Sequence, residues 1–360
     1  GVAPFDDVGD FTTAKDAYFD RVDDLLRQAQ ERGILVLLAP SYLGYDGGDE
    51  GWCQAMKRNG VNRLRRYGRY LGRRFQDHPN LLWVEGGDYT PRTEGSPSEM
   101  DLVRAVAQGI REGERGSHLH TAHWHPGTAS AEVPGAPEVE VEATYLYEGA
   151  RTYVKTLKDF ARDHGVRPFF LIESAYENEH HATPTQLRAQ MYQPVLSGGT
   201  GFVFGNFPVW HFWKPGDPPW HLADGLFPGG WTTALDTPGA RSATLCGEFF
   251  RSIDWSSLKP DIARRWVTAG AGTAGSDRSV LGAVAGNGRL GVAYFTGILK
   301  ATVDLSRIPA PLRARWFDPS SGAWTGALTV APENAQPREF TPPGKNADGS
   351  EDWVLLVQSD

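Results

Sequence analysis

Between residues 16 and about 210 the chain alternates amphipathic stretches at helical spacing with short apolar runs rich in β-branched and aromatic residues. The stretch DAYFDRVDDLLRQAQERG sets Tyr18, Phe19, Val22, Leu25, Leu26 and Ala29 at helical intervals and meets a helix-ending glycine at Gly33. The run ILVLLAPSYL follows directly. Further helices are expected near 60–76, 98–113, 151–164 and 184–197. Further strands are expected at LLWVEGGD, HLHTAHWH, VEVEATYLY, PFFLIESAYE and GFVFGNFPVW, making six in all. Strands buried on both faces and joined by crossover helices form either a doubly wound sheet or a (β/α)₈ barrel.

Two features favour the (β/α)₈ TIM barrel over a six-stranded open sheet. No GxGxxG follows the first strand, and polar or aromatic residues stand at the end of nearly every run: Tyr42, Asp88, His123 and His125, Tyr145 and Tyr147, Glu173, Asn206 and Trp210. A barrel needs eight strands, so the first two are expected to lie ahead of Gly1. The opening GVAPFDDVGDF reads as a loop, in keeping with that expectation. From about residue 263 the composition turns Gly-, Pro- and Thr-rich, with short alternating strands separated by turns such as GNGR and DPSSG. The expected organisation is a barrel domain over 1–262 and an antiparallel β-sandwich over 263–360.

Charge narrows the function. With 36 Lys and Arg against 44 Asp and Glu, a net charge of −8, and no basic patch, nucleic acid is excluded as a partner. No run of about 18 apolar residues suits a membrane span. Cys53 and Cys246 lack CxxC spacing and allow at most one long-range disulfide, so no thiolate metal site is indicated. Twelve tryptophans and twelve tyrosines serve core packing and also supply rings of the kind that stack on sugars.

In LLWVEGGD, strand alternation places Leu82, Val84, Gly86 and Asp88 on one face and Trp83 and Glu85 on the other. Glycines at a strand end admit a ligand or another backbone. In PFFLIESAYE the same alternation puts Phe169, Leu171 and Glu173 together. Asp88 ends the second run and Glu173 the fifth, which become the fourth and seventh strands of a complete ring. Carboxyl groups there could protonate a glycosidic oxygen on one side and attack on the other, with retention at a separation of about 5 Å and inversion at about 6.5–9.5 Å. Glu85 is a rival acid if the double glycine shifts the register.

Tyr42, His123, Trp124, Tyr145, Tyr147, Tyr176, Glu177 and Trp210 are the candidate substrate contacts, Glu177 by positioning the substrate or its neighbours. His120, His123 and His125 read as hydrogen-bonding residues of a polar cleft, although His123 and His125 share a face. No GxSxG, HExxH or Walker motif occurs, and no metal or cofactor is expected. The residues therefore lead to a glycosidase acting on a polysaccharide or oligosaccharide. The alternatives are a metal-dependent barrel hydrolase using those histidines and a non-catalytic carbohydrate- or matrix-binding protein.

The segments YFDRVDDLLRQAQERGILVLLAP, PNLLWVEGGD, LIESAYE, MYQPVLSGGTGFVFGNFPVW and LDTPGA resemble the apiosidase-like hydrolases, glycoside hydrolase family 140. The tail, with RARWFDPSSGAW, FTPPG and DWVLLV, resembles the domain named for collagen binding that commonly follows them. The resemblance implies Asp88 as general acid/base and Glu173 as nucleophile, a retaining reaction, and no cofactor. It also implies a secreted or periplasmic enzyme, any signal peptide lying upstream, that removes apiose side chains from complex plant pectin.

Overall fold

The computed structural model describes residues 1–116, 118–147, 151–162, 167–225 and 227–359. The chain forms two compact units, Gly1–Tyr145 and Leu146–Asp360.

The first unit opens on a hairpin where the sequence reads as a loop. Strand β1 (Phe5–Asp7) pairs antiparallel with β2 (Asp10–Ala14). The Phe5 and Phe11 rings stack at 4.2 Å, which gives this short, acidic segment an apolar anchor. Helix α1 (Asp16–Glu31) ends as its sequence suggests. Gly33 N donates to Gln30 O and Ile34 N to Ala29 O, the pair of bonds that a left-handed glycine permits just past a helix. Strands β3 (Val36–Leu38), β4 (Leu81–Gly86) and β5 (Leu119–His123) form a parallel sheet in that order. Strand β6 (Glu142–Tyr145) lies beyond β5, and just ahead of it Val141 N donates to His120 O.

Helix α2 (Cys53–Phe75) begins well ahead of residue 60, where Gly60 interrupts it with a φ of 67°. Helix α3 (Glu99–Gly113) is fixed by reciprocal bonds between Ser98 and Asp101. The two helices cross with backbones almost touching, because a Cβ on Gly109 would lie 2.2 Å from Arg65 O. Trp83 of β4 is buried with Leu71 and Phe75 of α2 and Val106 and Ile110 of α3, so alternate β4 side chains cement sheet to helices.

In the second unit, helix α4 (Thr152–Arg162) precedes strand β7 (Phe169–Glu173), buried along its whole length. The last two residues of the helix expected over 151–164 lie outside the described residues. Helix α5 (Pro184–Leu196) is capped by Thr183 and α6 (Pro238–Arg251) by Thr237. The sixth expected strand, at GFVFGNFPVW, is reduced to isolated parallel bridges, Leu171 with Phe202 and Glu177 with Asn206. Six steps from 171 to 177 stand against four from 202 to 206, and this mismatch breaks the ladder.

The C-terminal part is antiparallel. Strands β8 (Leu258–Pro260), β9 (Val267–Ala269), β10 (Val280–Ala285), β11 (Leu290–Phe295), β12 (Ala301–Asp304), β13 (Leu312–Phe317), β14 (Trp324–Val330), β15 (Pro337–Phe340) and β16 (Trp353–Ser359) build two sheets. Their orders are β14-β13-β16-β11-β10-β8 and β15-β12-β9. The larger sheet takes its first strand from Leu258, ahead of the change in composition at 263. Trp353, Leu355 and Val357 point into the core shared with the smaller sheet, and Val354 and Leu356 pack against α5 and α6. A strand buried on both faces accounts for the uninterrupted apolar run WVLLV. Among the described residues no helix is long and apolar enough to cross a membrane.

Candidate active site

Asp88 is delivered by a turn and not by the pleat of a strand. β4 stops at Gly86, and Gly86, Gly87 and Asp88 all take positive φ values, 78°, 125° and 52°. The first two require glycine for a second reason, close approach. A Cβ on Gly86 would sit 2.3 Å from the Trp124 ring, and one on Gly87 2.3 Å from the Tyr42 ring. The strand alternation that appeared to carry Asp88 therefore ends two residues before it. The turn is held because Gly87 N donates to His123 O at 2.9 Å and Leu43 N donates to Gly86 O. Behind it, Tyr89 Oη donates to Glu99 Oε2 at 2.7 Å, and Lys57 Nζ approaches Glu99 at 2.7 Å. Burial, and then Glu99, push the Tyr89 hydroxyl up to about 12, so this phenol stays a donor.

The histidines of the β5 segment separate. His120 is fully buried, with Nδ1 2.8 Å from Glu85 Oε1. This pairing removes Glu85 as a rival acid, since the carboxylate is enclosed on the side of β4 away from Leu82 and Val84. His123 lies against the Tyr145 ring at 4.9 Å. His125 lies past the strand, beside Tyr45 and Tyr89, with Nε2 3.8 Å from Asp46. The shared face expected for His123 and His125 is lost because the strand ends at His123. Trp124, a candidate sugar contact, is 1 % exposed and packs on Gly86, so it builds the turn instead. Tyr145 is likewise buried, whereas Tyr42 keeps an exposed edge.

In the second unit Glu173 ends β7 and is 9 % exposed. Tyr147 Oη donates to its Oε1 at 2.7 Å, and Leu146 N donates to its backbone carbonyl. Tyr176 lies nearby, its hydroxyl pushed far up by burial and then by the charges of Glu173 and Tyr147. The Tyr176 ring occupies the space a side chain at position 205 would need, since a Cβ on Gly205 would fall 1.4 Å from Tyr176 Cδ1. Trp210 stacks on Tyr176 at 5.9 Å with an interplanar angle of 18°. The Tyr147 hydroxyl thus fixes the orientation of the Glu173 carboxyl group at the end of β7.

Glu177 faces the protein itself. Its oxygens accept Gly239 N at 2.7 Å, Asn206 Nδ2 at 2.8 Å and the Thr237 hydroxyl, so it anchors the start of α6. Both its oxygens are thus engaged by protein groups, and it positions its neighbours. Two important residues carry no sequence signal. Gln190 on α5 bonds both N and O of Ala175 at 2.9 and 3.0 Å, pinning the backbone just past Glu173. Glu179 accepts both the Trp210 and the Trp220 indole N–H. Both cysteines are buried and free, so the long-range disulfide does not form.

This fold is shared with glycoside hydrolases. One solved structure described as a glycoside hydrolase matches with a TM-score of 0.78 at 18 % identity, covering 95 % of this chain and 77 % of that one. A glycoside hydrolase family 5 structure from Bacteroides vulgatus ATCC 8482 also matches at 0.78, with 19 % identity, 95 % and 74 %. No curated protein matches the chain. A family model described as the apiosidase-like catalytic domain matches residues 2–257, and one named for the collagen-binding domain of a collagenase matches residues 271–358. The chain belongs to the apiosidase-like family of glycoside hydrolases. It is therefore a glycosidase, and its substrate is a carbohydrate.

Proposed function

We propose that the α/β region is built as a (β/α)₈ barrel, with Glu173 as the nucleophile and Asp88 as the general acid/base of a retaining glycosidase. Glu173 attacks the anomeric carbon while Asp88 protonates the departing glycosidic oxygen. Asp88 then takes a proton from water, which opens the glycosyl-enzyme ester and releases the sugar with its configuration retained. The substrate is a plant-type polysaccharide or an oligosaccharide derived from it, with an apiose side chain as the group first tested.

The observation that carries this reading is the setting of Glu173. A carboxyl group at a strand end, enclosed, and bonded at one oxygen by the Tyr147 hydroxyl is held in one orientation, as a nucleophile must be. The GGD turn supports the complementary role, because a carboxyl group on a short turn bounded by fixed rings can be held close to the leaving oxygen. The stereochemistry tests the assignment. Proton NMR of the first-formed sugar is expected to show the anomer of the substrate before mutarotation; the opposite anomer would remove Glu173 as nucleophile.

A further inference from the structure

Glu179 is a buried carboxylate, 3 % exposed, in the segment between β7 and α5, and nothing in the proposed reaction uses it. Its Oε1 accepts the Trp210 indole N–H at 2.8 Å and the Trp220 indole N–H at 3.1 Å. The two indoles meet edge to face at 5.4 Å, and Trp210 stacks on Tyr176, which meets the Tyr147 ring edge to face at 6.4 Å, the ring whose hydroxyl bonds Glu173. The two loops that carry these groups are tied together. Asp224 N donates to Asn178 O, His181 N to the Asp224 carboxylate, and Glu179 forms a bridge with Ala223.

With both N–H groups turned inward, what Trp210 presents outward is ring surface, and it is 41 % exposed. A ring that offers no hydrogen-bond donor and is fixed in one plane suits the C–H face of a sugar better than its hydroxyls. A single carboxylate oxygen holding two indoles is a costly burial unless their placement matters, since the charged group loses its hydration.

We infer that Tyr176, Trp210 and Trp220 form a saccharide subsite beside Glu173 that binds a sugar ring next to the one cleaved, and that Glu179 is its positioning residue. The inference rests on Glu173 being the nucleophile only for the position of the subsite along the substrate. The enzyme then selects an oligosaccharide over a single glycoside, and the aromatic surface sets that preference.

Calorimetric binding in a Glu173→Gln background, using oligosaccharides from a partial digest of plant pectin, separates the subsite from the chemistry. Trp210→Ala and Glu179→Val are expected to weaken binding at least tenfold. Glu179→Gln is expected to stay within threefold, because the amide oxygen can accept the same two N–H groups. In the enzyme with Glu173 intact, the ratio of kcat/KM on the oligosaccharide to kcat/KM on an aryl monoglycoside is expected to fall at least tenfold in Trp210→Ala. Unchanged affinity in Trp210→Ala, or equal losses on the long and short substrates, would overturn the subsite. Trp210→Ala changes an exposed side chain, which keeps the test open if Glu179→Val fails to fold. Residual turnover of Glu173→Gln alone reports separately on the nucleophile.

Discussion

Glu173→Gln is expected to lower turnover by roughly 10⁴-fold or more, the scale set by removing an attacking group that works in concert with its partners. The carboxamide keeps the size of the side chain and can still accept the Tyr147 hydroxyl, so substrate binding should persist. Asp88→Asn should give a different signature. Substrates with sugar leaving groups, which need a proton, should lose several orders of magnitude. An aryl glycoside with an acidic phenol should form the glycosyl-enzyme at a nearly normal rate and then stall, because water lacks its base. Added azide should restart that stalled form, since it attacks without base assistance. Near-normal hydrolysis in both variants would eliminate the carboxyl pair and leave the aromatic surfaces as those of a binding protein.

The second large effect concerns stability. Asp352→Ala should destabilise the second unit by about 3 kcal/mol, the cost of taking from a buried arginine its fully buried partner while the partly exposed Asp348 remains. Arg188 is 1 % exposed and donates Nε and Nη2 to Asp352 at 2.8 and 2.7 Å, and Nη1 to Asp348 at 2.7 Å. Tyr294 Oη and Asn346 Nδ2 also donate to Asp352, so one carboxylate at the start of β16 organises four donor atoms. Arg188 rides on α5 beside Gln190, the residue that pins Ala175. Denaturant unfolding of Asp352→Ala, beside a Asp352→Asn variant that loses less, measures the effect. A change below about 1 kcal/mol would show that water enters and solvates the arginine. Because α5 and α6 cover one face of the larger β-sheet, removing the region named for collagen binding should expose the apolar sides of these two helices.

Much of this arrangement could be read from residue order. Helix starts and stops follow local chemistry, and Gly33, Ser98, Thr183 and Thr237 all act at helix ends. Glu173 was legible because PFFLIE is a true strand and its last residue is an acid. The alternation that places Asp88 on the face of Leu82 and Val84 is an incomplete guide, since it ends at Gly86 and three left-handed residues carry the chain onward. Trp124 looked like a sugar contact, but its direction depends on Gly86, 38 positions away by 124 − 86, which leaves room for the ring. The break at 202–206 was invisible because a mismatch between two ladders belongs to neither segment alone. Glu179 escaped notice in NEHHATP for the same reason, its partners Trp210 and Trp220 lying 31 and 41 residues away.

The most direct measurement is peptide mapping of the enzyme after reaction with an activated 2-deoxy-2-fluoro derivative of the aryl glycoside it hydrolyses. Fluorine destabilises the positively charged transition states, and the good leaving group lets only the first step proceed. The expected result is one sugar per chain, bonded to Glu173 and absent from Glu173→Gln. A sugar found on any other residue, or rapid turnover by a chain that is never labelled, would contradict the account.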